Sequence, residues 1–292
     1  MTAVAEKVET STATKKPKTG GLGGIFTTGF TWFVGLLLFF PIFWMVLNSF
    51  KTEAEANGDP VLLFEPTLEN FGEVTETIPG IPSFWEAVTA SVVIVLGSTL
   101  VVMLLAIPAA YALSIARVPK WRDILFFFIS TKFLPVVAAI LPLFIIFEEL
   151  DLTNGPLGLG ILYTALNLPL AVWMLRSFFA DVPKELIEAS RIDGASLFTQ
   201  LRSVILPVIA PGVAATALLC FIFAWNEFFL AVQLNITDWQ TLPVWVTSEI
   251  DTRGQFIAKL SAASTLATLP VILAGWVAQK RMIRGLALGA IK

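Results

Sequence analysis

One segment of this 292-residue chain, residues 181–207, combines carboxylates with small and turn-forming residues in a defined order. The members of this set are Glu188, Ala189, Ser190, Asp193, Gly194, Ala195, Leu206 and Pro207. The segment's apolar residues Leu197, Leu201, Val204 and Ile205 recur at helical spacing, and such an apolar stripe on a loop needs a partner surface that buries it. The spacing predicts a helix capped by Asp181, a turn at Gly194 and a second helix capped by Ser196.

A second group of polar and aromatic residues interrupts long apolar stretches and consists of Asn167, Trp225, Asn226 and Glu227. Polar side chains inside apolar spans usually avoid hydrocarbon, so these residues are candidates for lining a solute pathway. Structural alternatives stay open. Glu227 can equally reach the membrane interface or pair with a neighbouring subunit, and Asn167 can satisfy backbone groups that Pro169 leaves free. Lys132 is expected to extend its long side chain to the interface.

The residue inventory excludes several kinds of chemistry. The chain has one Cys and no His, which excludes a disulfide framework, a zinc site and a His-based catalytic triad. It has no Gly-rich loop ending in Gly-Lys-Ser/Thr, so we do not expect it to hydrolyse ATP. Its 19 basic and 22 acidic residues are too balanced for a nucleic-acid binder. The sequence therefore predicts no catalytic, metal or cofactor site.

The composition is that of a membrane protein. Hydrophobic residues make up 56% of the chain and charged residues 14%, whereas soluble domains carry about 25% charged residues. Continuous apolar runs predict an all-α protein with six transmembrane helices, at residues 26–49, 85–115, 124–147, 157–178, 206–234 and 259–280. Pro207 and Pro211 are expected to separate the second loop helix from the fifth span. Residues 1–24 are expected to form a disordered cytoplasmic tail and residues 25–292 the membrane domain.

Basic residues are distributed unequally between the loops. If the N-terminus is inside, only Lys51, Arg253 and Lys259 among the loop cations fall outside. The positive-inside rule then places both termini and the 181–207 segment in the cytoplasm. The first apolar run is too long for the core of a cleavable signal peptide. The acidic outer loop, residues 53–76, is either a docking surface for an external protein or a solvated linker.

The 181–207 segment resembles the cytoplasmic "EAA" signature of ABC importer permeases, with Ser190 where that family commonly has a second Ala. Other stretches are similar to the carbohydrate-importer branch, the maltose-type second permease subunit: residues 66–71, 109–113, 167–169, 225–228 and 285–292. Residues 130–135 resemble a variant found in permeases for monosaccharides and sugar alcohols, with Lys132 where Arg is usual.

This resemblance implies the type I importer architecture and a bacterial inner-membrane location. It implies a subunit that forms the pathway for a sugar or sugar alcohol and that couples to ATP hydrolysis through residues 181–207, hereafter the coupling loop. The implied partners are a second permease subunit, two ATPase subunits that bind ATP and Mg, a periplasmic or lipid-anchored binding protein and membrane lipid. No nucleic acid is expected, nor any cofactor in this chain.

Three alternatives to a sugar permease were considered. A permease for a non-carbohydrate solute would share every feature above. A stand-alone ion-coupled carrier would favour inverted repeats and charged midplane sites, and the sequence has no clear repeat. A membrane enzyme would need clustered intramembrane catalytic groups, which a chain without His does not supply. Neither of the last two explains the order of residues in the coupling loop.

The distribution of Lys and Arg generates a prediction about topology. After replacement of Cys220, an impermeant thiol reagent applied from outside should label single cysteines at positions 69 and 251, because both loops are expected to be external. It should spare cysteines at positions 16 and 292 until the membrane is opened. Labelling in the opposite pattern would contradict the proposed orientation.

Overall fold

The structure, a computed structural model, describes residues 22–80, 82–116, 118–248 and 256–289. Within these ranges it describes side chains from residue 24 to residue 279. Most of the predicted tail, residues 1–24, lies outside the described residues. Helix α1 already begins at Leu22, so the last residues assigned to the tail are helical instead.

Every regular element in the described ranges is helical. In chain order the elements are α1 (Leu22–Asn48), α2 (Glu53–Ala56), α3 (Glu69–Thr75), α4 (Phe84–Ser114), α5 (Trp121–Ser130), a 3₁₀ turn (Thr131–Phe133), α6 (Val136–Glu149), α7 (Pro156–Ala180), α8 (Lys184–Ile192), α9 (Leu197–Thr199), a π-helical segment (Gln200–Ile205), α10 (Leu206–Trp225), α11 (Phe229–Leu234), α12 (Leu242–Ser248) and α13 (Ile257–Gly289).

The number of spans agrees with the sequence. Five helices of the described chain are long and apolar enough to cross a bilayer, and α5 with α6 makes a sixth if the pair counts as one span. The all-α, six-span prediction is thereby confirmed. The predicted ranges 26–49, 85–115 and 157–178 match α1, α4 and α7 within four residues at each end. The last span begins close to its predicted start but continues as helix to Gly289.

The chain divides into two compact units, residues 1–45 and 46–292. The described part of the first unit is residues 22–45 of the apolar helix α1, which continues unbroken past Pro41. The second unit contains two clusters of buried apolar side chains. Helices α4, α7 and α10 contribute to both clusters, so these three helices form the centre of the unit.

Small residues allow α4 and α7 to approach closely. Ala106 and Ala110 of α4 and Ala171 of α7 are fully buried in the cluster nearer the coupling loop. Small side chains at helix interfaces are the usual means of close packing in membranes, because helix association there depends on van der Waals contact.

The third span is not one straight helix, and the predicted helix 124–147 is wrong in this respect. Helices α5 and α6 meet at an angle of 87°. Between them lie the 3₁₀ turn and Pro135, which has no backbone N–H and cannot continue the hydrogen-bond ladder of the preceding helix. The break coincides with residues 130–135, the stretch that resembles sugar-alcohol permeases.

The predicted fifth span, 206–234, is also interrupted. Helix α10 ends at Trp225, and the chain resumes helical structure only at Phe229. At its other end the helix is more continuous than expected, since the π-helical segment runs directly into α10. Pro207 lies in the first turn of α10 and Pro211 inside the same helix, so the prediction that these prolines separate the two helices is wrong.

The acidic loop 53–76 is folded. It contains α2 and α3, and the amide of Asn70 donates to the backbone carbonyls of Ser49 and Lys51 at 2.9 and 2.7 Å. The Glu53 carboxylate accepts from the backbone N–H groups of residues 258 and 259, at the start of α13. An acid at a helix N-terminus satisfies free donors there, so this loop is attached to the membrane domain and is not a free linker.

Candidate functional site

The first helix of the coupling loop ends in a Schellman turn. The N–H of Ala195 donates to the carbonyl of Ser190 at 3.0 Å, and the N–H of Gly194 donates to that of Arg191 at 3.1 Å. Gly194 has φ of +76°, yet a Cβ on it would meet no atom within 4 Å. Glycine at this position serves the backbone conformation and not close packing within the chain.

The two predicted helix caps have different outcomes. Ser196 precedes α9, and its Oγ accepts from the N–H of Thr199 at 3.2 Å, so that cap is confirmed. The Asp181 cap is wrong, because Asp181 follows the last residue of α7 and Pro183 directly precedes α8. The φ of Pro183, −57°, is already close to the helical value, which starts the helix without a side-chain cap.

A buried glutamine that the sequence analysis did not identify fixes the loop. Gln200 is 1% exposed, and its Nε2 donates to Ser190 Oγ at 2.6 Å and to the Ile187 carbonyl at 3.1 Å. Its Oε1 accepts from the hydroxyl of Tyr111 on α4 at 3.1 Å. These four residues, hereafter the Gln200 network, join α8, the π-helical segment and α4. Ser190 therefore does more than preserve a narrow helix face.

The turn around Gly194 presents an apolar surface. Ile192 is 86% exposed, and Leu197 and Phe198 are each 69% exposed. Glu188, Ala189 and Asp193 are exposed beside them, whereas Ser190 is buried and Ala195 is half-buried. Large apolar side chains gathered on a turn that also carries carboxylates indicate a surface that contacts another protein.

Leu206 and Pro207 belong to a different part of the structure. They lie in the first turn of α10, with Leu206 half-buried and Pro207 exposed. A few residues further, Gly212 is buried against Phe178 of α7, and a Cβ at Gly212 would lie 2.3 Å from the ring. Glycine at this position is required because the two helices are in contact there. The sequence analysis did not assign this role.

The group Trp225, Asn226 and Glu227 lies at the break between α10 and α11. Trp225 is 4% exposed, stacks on Phe221 and donates from Nε1 to the Ala267 carbonyl at 3.2 Å. Its aromatic face is therefore occupied by the protein. Asn226 is exposed, and its Nδ2 donates to the Ile222 carbonyl at 2.8 Å, which closes the end of α10.

Glu227 caps the next helix. Its carboxylate accepts from the backbone N–H groups of Leu230 and Ala231, at 2.9 and 3.2 Å. These are donors in the first turn of α11, which a helix start leaves free. Glu227 therefore has a structural role in capping α11, which differs from the two alternatives considered from the sequence, and its part in a solute pathway stays a prediction.

Two residues of α7, one turn apart, are hydrogen-bonded to the two interrupted spans. The hydroxyl of Tyr163 donates to the backbone carbonyl of Glu227 at 3.3 Å. Three residues along, the Leu166 carbonyl accepts from Lys132 Nζ at 2.6 Å. Lys132 therefore contacts α7, while its reach to the membrane interface stays a prediction. Lys132 bonds the carbonyl of the residue that follows Ala165. The Ala165 carbonyl itself has no helical donor, because Pro169, four residues later, has no backbone N–H. Asn167 is buried on the same helix, 4% exposed.

A family model described as binding-protein-dependent transport system inner membrane component matches residues 102–283. The chain is 38% identical to a putative ABC transporter permease protein ORF1 of Streptomyces antibioticus, over 78% of this chain and 98% of that protein. It is 33% identical to the trehalose/maltose transport system permease protein MalG of Thermococcus litoralis, over 89% and 93%. It is 30% identical to the diacetylchitobiose uptake permease DasC of Streptomyces coelicolor, over 89% and 93%.

A solved bacterial ABC transporter involved in import of the acidic polysaccharide alginate contains a chain with the same fold. The TM-score is 0.72 at 23% identity, over 88% of this chain and 95% of that one.

The Gln200 network generates a stability prediction. Gln200→Leu removes hydrogen bonds in a buried site and should destabilise the protein by about 2 kcal/mol. Ser190→Ala alone should cost about 1 kcal/mol, but less in the Gln200→Leu background, where only the hydrogen bond that Ser190 donates to the Ile187 carbonyl at 2.8 Å remains to be lost. Thermal unfolding of the purified variants measures both effects. Ser203→Ala, which removes an exposed hydroxyl from the same loop, is the control. Additive effects of the two buried substitutions would contradict the network.

Proposed function

This chain belongs to the family of binding-protein-dependent transport system inner membrane components, and from that membership we propose that it forms part of the pathway for a sugar or sugar alcohol. As a member it is an inner-membrane permease subunit that works with other ABC importer components. Relatives named for trehalose/maltose and diacetylchitobiose transport support a carbohydrate as the solute.

The observation that supports the role of a permease coupled to an ATPase is the structure of the coupling loop. Its turn exposes Ile192, Leu197 and Phe198 beside Glu188, while the Gln200 network anchors the other side of the loop to α4. A surface that transmits force must be exposed to the partner and fixed to its own protein, and this loop meets both requirements. We propose that an ATPase subunit binds this turn.

The partners follow from the chemistry that this chain lacks. It has no phosphate-binding loop, so two partner ATPase subunits would bind the ATP and Mg. A second permease subunit would complete the pathway, and a periplasmic or lipid-anchored binding protein would deliver the sugar. The folded acidic loop 53–76, with α2 and α3, is a candidate surface for that protein if the loop is external as the charge distribution predicts.

The breaks in two spans are our candidate region for the solute. Interrupted helices in membranes occur where they are buried in protein or line a cavity, because a lipid-exposed break would leave backbone groups unsatisfied. Asn226 is exposed at one of these breaks; its Nδ2 is bonded to the Ile222 carbonyl, and its Oδ1 has no hydrogen-bond partner among the described residues. We therefore keep Asn226 as the first candidate for contact with a sugar, ahead of the packed Trp225.

The coupling role of the loop makes a first prediction. Glu188→Ala should abolish uptake and the stimulation of ATPase activity by the loaded binding protein, because breaking a partly buried charged pair costs on the order of 3–5 kcal/mol. Glu185→Ala removes an equally exposed carboxylate one turn earlier and should retain both activities. Reconstituted complexes give both readings. Full uptake by the Glu188 variant would contradict the assignment of this residue.

Gly194 can be tested within the same assay by its backbone conformation. Gly194→Val places a β-branched residue at φ of +76° and should misdirect the loop, at a cost of about 1–2 kcal/mol or more. Gly194→Asn should retain most of the activity, since Asn tolerates positive φ. Equal loss in both variants would indicate that a partner approaches too closely for any side chain.

Asn226→Ala should impair sugar transport more than it impairs assembly. The side chain closes the end of α10 only through its own helix, so its loss leaves the packing of neighbouring helices intact. Gln233→Ala, which removes an exposed amide from α11, is the matched control. Normal transport at normal abundance by the Asn226 variant would remove it from the pathway.

A further inference from the structure

A groove of about 590 Å³ lies where the coupling loop meets the membrane helices. The ends of α4 and α7, the start of α5 and one side of α8 form its walls. Its volume falls within the range of ligand pockets in proteins, about 300–1,000 Å³. It lies beside the Schellman turn but is lined by residues of three membrane helices, so it is separate from the exposed apolar turn.

The groove contains more positive than negative charge. Arg176, Lys184 and Arg191 line it, and Glu188 is the carboxylate on its wall. A single negative charge cannot balance three positive ones, so the groove attracts an anion. Glu188 lies on the α8 side, whereas Arg176 belongs to α7 on the opposite wall.

Arg176 is held in position for recognition. Its guanidinium carbon lies 3.9 Å from the centre of the Trp121 ring, and the guanidinium of Arg122 lies 5.2 Å from the same ring. Stacking on an indole leaves the N–H groups at the edge of the guanidinium available. The Nε of Arg176 is buried and has no hydrogen-bond partner in the described chain. This guanidinium therefore keeps hydrogen-bonding capacity that no group of the described chain uses.

The surroundings favour a lipid as the source of that acceptor. Trp121 is the first residue of α5, and Phe126 and Phe127 of the same helix are 75% and 67% exposed. Tryptophan and arginine at the end of a span mark the level of the head groups, and the exposed Phe side chains continue from there into the hydrocarbon. A head group bound in the groove would therefore have a surface for its acyl chain next to it.

We propose that this groove binds the phosphate of an anionic phospholipid head group, with Arg176 as its principal ligand and Lys184 and Arg191 as supporting charges. Basic sites between membrane helices are the usual form of head-group recognition, and the planar guanidinium suits a phosphate through paired N–H···O bonds. Binding at this point would attach the coupling loop to the lipid surface.

The test uses the assembled transporter in vesicles of phosphatidylcholine, with or without phosphatidylglycerol. Phosphatidylglycerol should raise the thermal unfolding midpoint of the complex and should be retained as an adduct in native mass spectrometry. Arg176→Gln should weaken that binding about tenfold, and a Lys184→Gln/Arg191→Gln double variant on the exposed face of α8 should also weaken it. Arg202→Gln removes one positive charge from a part of the coupling loop that lies outside the groove. The lipid dependence of this variant should match that of the parent chain.

Each of the following outcomes would contradict the proposal. Inorganic phosphate added to pure phosphatidylcholine vesicles must not reproduce the stabilisation, because otherwise the site takes a free anion. If Arg176→Gln releases the ATPase subunits equally in both vesicle types, the groove receives a side chain of that subunit. An equal loss of lipid response in the Arg202 variant would indicate only general surface attraction, and an unchanged response in the Arg176 and double variants would exclude the groove.

Discussion

The constraint on which the structure depends is that hydrocarbon offers no partner to a backbone N–H or carbonyl. Two spans of this chain are interrupted, and each interruption frees such groups. Polar side chains near the breaks bond backbone groups. At the second break, Tyr163 bonds the carbonyl of Glu227, and the Glu227 carboxylate accepts two N–H groups at the start of α11. At the first break, Lys132 bonds the Leu166 carbonyl, which belongs to the continuous helix α7. Lys132 and Glu227, the ionisable residues at the two breaks, therefore make structural contacts with other parts of the described chain.

The same requirement shapes the coupling loop outside the spans. Gln200 is buried in a region where α8 ends and a π-helical segment begins, and it occupies both its amide atoms with partners on other elements. A polar residue buried this fully must be hydrogen-bonded, so its geometry fixes that of the loop. The apolar residues at the turn can then remain exposed without the loop collapsing onto the membrane domain.

The sequence predicted the features that depend on local composition. Continuous apolar runs gave the number of spans, and the order of residues in the loop gave the glycine turn and the Ser196 cap. The breaks were missed because proline alone does not mark them. Pro108, Pro142, Pro169 and Pro270 all lie inside continuous helices, whereas Pro135 coincides with a bend. Gln200 was missed for a different reason, since its partners lie 10 to 89 residues away along the chain. Only the packing of α4 against the loop brings them together.

These contacts determine how the loop is attached to the rest of the protein. It continues covalently into α10, and it is joined to α4 by the hydrogen bond between Gln200 and Tyr111. The loop therefore has a hydrogen-bonded connection to α4 and a covalent connection to α10 through which a displacement would be transmitted. Because Gly212 of α10 is in contact with Phe178, α7 must respond as well. At the far end of α10 the chain is already interrupted, and Glu227 already supplies acceptors for the next helix. The break after Trp225 is therefore the point where this span can bend without leaving further backbone groups unsatisfied.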